Sequence, residues 1–349
     1  MQQGASTIRV VVADDSAVMR RVIIEALRGD ERVEVVAEAA DGDEAIARCG
    51  ETSPDVLTLD LSMPNTTGLD VLDHLRRAGS SVRVVVVSSF SPSLVERALD
   101  VLDAGATDLV AKPKIGDGFS RFAEQVRSAV AAAAKGHRSD GPAQPARIPV
   151  PRTMRSSAGD SRILVIASST GGPRALGDVV PALGSSIGAG GVVVQHMPEG
   201  FTAPLARRLD ASAQLSVREA RTGDTLEPGS LLVAPAGHHL RYDHGTLRLD
   251  DSDPVGGLRP RADLTISDLA RDAGARVVLL VLTGMGSDAL DGARRVCEAG
   301  GIVIAQDESD CVVYGMPRNV IEHDLADAVG TLPEIPVLVE RALATPVSS

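Results

Sequence analysis

Short runs of Val, Ile and Leu recur along the chain, and longer stretches with apolar residues every three or four positions lie between them. In the first third the runs are Ile8–Ala13, Val33–Ala37, Val56–Leu59, Val84–Val87 and Leu109–Val110. Helix-patterned segments such as Ser16–Leu27, Gly42–Cys49 and Leu69–Ala78 separate them. The same style returns with Ile163–Ile166, Val192–Val194, Leu231–Val233, Val277–Leu282 and Ile302–Ile304. Strands that are apolar at nearly every position are buried on both faces, and their alternation with helices predicts parallel pairing. The pattern predicts an α/β fold of two doubly wound parallel-sheet domains.

Between the two series the periodicity stops. Lys135-Gly136-His137-Arg138-Ser139-Asp140-Gly141-Pro142, followed by Pro145, Pro149 and Pro151, reads as a linker. The predicted boundaries are 1–134 for the first domain, 135–160 for the linker and 161–349 for the second domain. Charge changes at the same places. The segments carry 14 basic and 21 acidic, 5 and 2, and 16 and 24 residues, so the net charge of -12 is two acidic domains around a basic tether. The tether is read as solvated, with docking on the acidic domains as the alternative.

The acidic balance and an aromatic content of only 2% argue against a nucleic-acid-binding protein, which needs a basic patch and, for single strands, stacking aromatics. Three scattered cysteines, Cys49, Cys297 and Cys311, make neither a disulfide framework nor a zinc site. No apolar run approaches the roughly 20 residues of a membrane-spanning helix, and the start shows no signal-peptide pattern, so a cytoplasmic protein without membrane insertion is expected.

Polar residues in the first domain cluster just after the strands: Asp14 and Asp15, Asp60, Ser88, and Lys112. In open parallel sheets that rim is where ligands bind. Three carboxylates at one place repel one another and call for a divalent cation, and oxygen ligands with room for water suit Mg²⁺. A phosphoryl group on Asp60 would then pair with Lys112 and accept a hydrogen bond from Ser88. Taken singly, Asp14-Asp15-Ser16 also reads as a helix cap and Asp60 as a turn residue. Residues 8–128 resemble a response-regulator receiver domain of flavodoxin-like fold, through Asp14, Asp15, Asp60, Ser88, Lys112, Met63-Pro64 and Gly68. The resemblance implies phosphorylation of Asp60 by a histidine kinase, with Mg²⁺ held by Asp15, Asp60 and the Ser62 carbonyl, helped by Asp14. Leu109 replaces the usual aromatic switch residue, which puts the aromatic switch itself in doubt.

In the second domain Ile163–Ala167 runs into Ser168-Ser169-Thr170-Gly171-Gly172-Pro173. A serine at a tight strand-to-helix turn lies near N–H groups able to stabilise an oxyanion, and a Gly-rich loop that caps a helix or binds phosphate is the competing reading. His196 follows Val192–Gln195, and Asp288 follows the strand Val277–Leu282, so nucleophile, base and orienting acid come from three strand ends. The order Ser, His, Asp differs from that of the α/β-hydrolases. Asp291 is the rival acid. His238-His239 read as turn residues rather than metal ligands, and Cys311 as a packing residue.

Ser168–Pro173, Gln195–Pro198, Leu282–Asp288 and Gly315–Pro317 together resemble the catalytic domain of the chemotaxis protein-glutamate methylesterases, over about 161–345. The resemblance implies Ser169 as nucleophile, His196 as base, Asp288 as acid, and backbone N–H groups near Thr170 and Met285 as the oxyanion hole. It implies no cofactor for the ester chemistry. It implies demethylation of glutamate esters, and deamidation of glutamines, on methyl-accepting chemoreceptors. The linker suggests control: the unphosphorylated receiver is expected to cover the catalytic rim until a chemotaxis histidine kinase phosphorylates Asp60. A phospho-dependent adaptor with an idle hydrolase fold and a receiver-linked transcription factor are the alternatives. One segment departs from the family: Arg259-Pro260-Arg261-Ala262-Asp263-Leu264-Thr265-Ile266 stands where Arg-Pro-Ser and an aromatic-containing run are usual, which leaves the chemistry standing and the substrate or receptor preference open.

Overall fold

The computed structural model describes residues 7–89, 101, 104–113, 119–135, 161–185 and 187–347. The chain divides into two compact units, Met1–Gly136 and His137–Ser349. Residues 136–160 of the expected linker lie outside the described residues.

The first unit holds a five-stranded parallel sheet in the order β2-β1-β3-β4-β5. Its strands are β1 (Ile8–Ala13), β2 (Val33–Ala39), β3 (Val56–Leu59), β4 (Arg83–Ser88) and β5 (Asp108–Ala111). The described helices are α1 (Ala17–Arg28), α2 (Gly42–Thr52), α3 (Gly68–Arg77) and α4 (Phe119–Lys135). Val10 and Val12, Val56, and Val85 and Val87 meet Ile23 and Leu27 of α1 and Phe122 and Val126 of α4 in one aliphatic core. The helices start where local chemistry allows. Ser16 accepts from the Met19 N–H, and Thr67 forms a reciprocal capping box with Asp70. The order reverses between β1 and β3, so their carboxyl ends open a crevice.

The second unit repeats the plan with seven parallel strands in the order β14-β13-β12-β6-β7-β9-β8. The central strands are β6 (Ile163–Ser168), β7 (Gly191–Gln195) and β12 (Val277–Val281), buried at every position as a sheet covered on both faces requires. Around them lie β8 (Ser216–Glu219), β9 (Ser230–Val233), β13 (Ile302–Gln306) and β14 (Ala328–Gly330). The helices are α5 (Gly172–Ala182), α6 (Thr202–Ser212), α7 (Ala262–Ala273), α8 (Leu290–Glu298), α9 (Met316–Glu322) and α10 (Ile335–Ala344). β10 (His239–Asp243) and β11 (Thr246–Asp250) form an antiparallel hairpin. Arg241 ties it to α7 through a two-pronged pair with the buried Asp268, at 2.6 and 2.9 Å. Chain order reverses between β6 and β12, which puts the crevice at the end of β6.

No helix among the described residues is long and apolar enough to cross a membrane.

Candidate active site and phosphoryl-acceptor site

In the first unit the five predicted residues converge at the crevice beyond β1 and β3. Ser88 Oγ donates to Asp60 Oδ1 at 2.7 Å and Lys112 Nζ donates to Asp60 Oδ2 at 2.7 Å. Lys112 Nζ is also 2.7 Å from Asp14 Oδ2. That second contact is an ion pair, so one ammonium bridges the buried Asp14 and Asp60 carboxylates. Burial pushes the Asp14 carboxyl up, against the pull of the Lys112 charge. Burial works the other way on Lys112, but its contacts with Asp14 and Asp60 outweigh it and raise the ammonium. Carboxylate oxygens of Asp14, Asp15 and Asp60 lie within 4.8 Å of one another. Three converging carboxylates against one ammonium are a donor set that suits a hard divalent cation. Asp15 alone of the three is exposed.

The second crevice gathers Ser169, His196 and Asp288 from beyond β6, β7 and β12, three adjacent strands. The adjacent serines separate. Ser168, the last residue of β6, is fully buried and donates through Oγ to Gln195 Oε1 at 2.6 Å. Ser169, the residue after β6, is half-buried. Gly171 turns the chain with φ +77°, a conformation β-carbon-bearing residues avoid. A Cβ on Gly172 would stand 2.0 Å from Gln195 Oε1, so the start of α5 has room only for glycine there.

His196 Nε2 lies 2.7 Å from Asp288 Oδ2. The buried Asp288 carboxylate accepts further hydrogen bonds from the backbone N–H groups of Ala262, Asp263 and Ala289, at 2.7, 2.9 and 2.9 Å. The first two are orphan donors at the start of α7, where a negative charge is also favoured by the helix dipole. Burial opposes ionisation of Asp288, but the His196 contact and the Arg261 charge overcome it and hold the carboxyl well below its ordinary range. The rival Asp291 is exposed and pairs with Arg294 at 3.1 Å. Among the described residues, neither the Thr170 nor the Met285 backbone N–H donates a hydrogen bond within the chain.

The profile of the CheB methylesterase family matches residues 164–339, and that of the response regulator receiver domain matches residues 10–119. The chain belongs to the CheB methylesterase family. A Symbiobacterium thermophilum protein named protein-glutamate methylesterase/protein-glutamine glutaminase is 40% identical over 348 residues, spanning 92% of this chain and 96% of that protein. A Myxococcus xanthus protein of the same name, numbered 5, is 41% identical over 347 residues, spanning 96% and 98%. The crystal structure of the Thermotoga maritima CheB methylesterase catalytic domain is 43% identical with a TM-score of 0.50, covering 51% of this chain and 97% of that one.

Three residues of this CheB-family chain take part in the site without having been singled out for it by sequence. Gln195 Nε2 donates to the carbonyl oxygens of Ser169 and His196 at 2.8 and 2.7 Å, tying the two turns together. A buried glutamine ending an otherwise aliphatic strand was the available signal. Arg261 Nε lies 2.9 Å from Asp288 Oδ1, and its Nη2 lies 2.6 Å from Asp263 Oδ2. Burial, then the charge of Asp288, pushes the Asp263 carboxyl up to about 6. The histidine pair differs from expectation in part. His238 sits in the turn, but His239 opens β10 and is fully buried. Its ring accepts from the Arg261 N–H and reaches the Asp253 carbonyl, both at 3.2 Å, so backbone partners satisfy a histidine that strand alternation turns inward. Cys311 is buried, and that burial pushes its thiol far up, consistent with packing rather than reactivity.

Proposed function

We propose that the chain is a phosphorylation-controlled protein-glutamate methylesterase and protein-glutamine glutaminase acting on methyl-accepting chemoreceptors. Residues 1–134 form the receiver, 135–160 the linker and 161–349 the catalytic domain. The observation that carries the reading is the buried Asp288–His196 pair at 2.7 Å beside the turn that presents Ser169 at the sheet's crevice.

His196 has its Nε2 on Asp288, so Nδ1 takes the Ser169 proton as Oγ attacks the γ-carbonyl of a glutamyl methyl ester. The Thr170 and Met285 N–H groups stabilise the oxyanion. His196 returns the proton to the departing methoxide, and methanol leaves an acyl-enzyme. Water, deprotonated by His196, then restores Ser169 and yields glutamate. With a glutamine side chain the leaving group is ammonia. Asp288 stabilises the imidazolium and fixes the ring.

In the receiver, Asp60 accepts phosphate from a chemotaxis histidine kinase. Asp14, Asp15 and Asp60 would hold Mg²⁺, which supplies charge neutralisation for the incoming phosphoryl group. Lys112 and Ser88, already on the two Asp60 oxygens, are placed to pair with the phosphoryl oxygens. The test is methanol release from methylated receptor membranes, comparing wild type with Ser169→Ala, with and without a small phosphoryl donor. Wild type is expected to release methanol, faster with the donor, and Ser169→Ala to release none. Equal rates would remove the enzyme reading. Deletion of 1–150 should raise the basal rate.

A further inference from the structure

Arg261 is shared between two buried carboxylates. Its Nε is 2.9 Å from Asp288 Oδ1 and 3.2 Å from Asp263 Oδ2, and its Nη2 is 2.6 Å from Asp263 Oδ2. The remaining Asp263 oxygen accepts from the Gly292 N–H at 2.8 Å, and the Asp263 N–H itself binds Asp288 Oδ1 at 2.9 Å. The Arg261 backbone is fixed in turn by His239 Nδ1. The guanidinium is thus committed inward, with only 18% of the side chain exposed. We propose that Arg261, divided between Asp263 and Asp288, is a positioning residue that sets how much negative charge Asp288 presents to His196, and so the pH below which the site stalls. This inference rests on the assignment of His196 as base.

A cation beside the orienting carboxylate weakens that carboxylate's support for an imidazolium, and an anion beside the cation restores it. Among the described residues, the charged or titratable groups around the pair include His196 after β7, Arg261 and Asp263 at the start of α7, Asp288 before α8, Asp291 on α8, His239 on β10, and Glu199, whose carboxyl lies against Gly237 in the turn before His239. Asp263 is the variable member, since burial and Asp288 hold its carboxyl near 6. Removing Arg261 alone would let Asp263 take up a proton and cancel the change. The informative comparison therefore starts from a chain without the Asp263 charge.

The experiment follows phosphonylation of Ser169 in the full chain by a fluorophosphonate. Oγ displaces fluoride at phosphorus, the serine proton passes to His196, and an O–P bond forms. The reaction reads nucleophile activation without any receptor. Its rate is measured from acid to neutral pH, with Ser169→Ala as the unlabelled control. Asp263→Asn should move the acid midpoint down by about one pH unit, the scale of one unit charge acting through a bridging residue at an effective dielectric of about 20. Adding Arg261→Met should move it back up by a similar amount, and Arg261→Lys with Asp263→Asn should keep the lowered midpoint. If Asp263→Asn fails to fold, Asp263→Ser, which leaves room for water, replaces it. One midpoint shared by all variants, with only the plateau rate changed, would overturn the proposal. Shifted midpoints in a protein that releases no methanol would support it and overturn the substrate reading instead.

Discussion

His196 turns Nε2, not Nδ1, toward Asp288, at 2.7 Å from Oδ2. This is the reverse of the chymotrypsin-type triad, where Nδ1 meets the acid and Nε2 the serine. Asp288 is held from behind by the N–H groups of Ala262 and Asp263, and the ring reaches it with the nitrogen farther from its own backbone. The neutral ring is expected to carry its proton on Nε2, which nitrogen-15 NMR of labelled histidine reads directly. Asp288→Asn should release that tautomer and lower kcat by about 10³–10⁴, the scale of losing an orienting acid, measured by methanol release.

Gln195 should behave as a joint rather than a reactant. Gln195→Met leaves the Ser168 hydroxyl and the two carbonyls of Ser169 and His196 without this partner. Each buried polar group so stranded costs on the order of 1–3 kcal/mol. The variant is expected to melt at a lower temperature and to lose kcat with KM little changed, since the loss is one of alignment. Calorimetry and steady-state kinetics check both.

Asp263 makes the catalytic domain's stability fall with pH over a defined window. Its folded carboxyl titrates near 6 and an unfolded one near 3.8. Between those values the folded state holds more proton, so this group's contribution to stability declines as pH rises through the window. Asp263→Asn removes this titration, so its melting temperature relative to wild type should climb from about pH 4 to about pH 6. Parallel thermal melts across that range measure the difference.

The convergence of Asp14, Asp15 and Asp60 predicts linkage between divalent metal and receiver stability. Millimolar Mg²⁺ should raise the melting temperature of the wild-type receiver transition, since a ligand that binds only the folded state stabilises it by mass action. Asp14→Asn should abolish the increment and slow Mg²⁺-dependent phosphorylation of Asp60 by a small phosphoryl donor. An equal increment in both proteins would exclude Asp14 from the metal site.

The parts of the fold legible in sequence were those written in continuous aliphatic runs. β1, β3, β6, β7 and β12 carry the site residues at their ends and are buried throughout or nearly so. Ser216–Glu219 and the β10–β11 hairpin escaped because they mix polar with apolar positions, and β14 because it is only three residues long. The hairpin's alternation at Leu240, Tyr242, Leu247 and Leu249 was present but outweighed by the charged residues between. Ser168 and Ser169 could not be told apart by local residues alone, because what separates them is Gln195, 27 positions away. Arg261 was noticed only as a departure from a family pattern. Its contact with Asp288 depends on the end of β12 meeting the start of α7, which no local periodicity encodes.

The Asp288 carboxylate closes the N-terminus of α7 while orienting His196. On the proposed mechanism, activity and architecture are therefore written in one residue, and they differ in what mutation can remove. A lineage that stopped needing the esterase could shed Ser169, a half-buried rim residue, without disturbing a helix. Substituting Asp288 would fray α7 as well. Among inactive descendants of such an enzyme, the nucleophile should vanish first and the acid should persist, kept by selection for folding long after selection for turnover had ended.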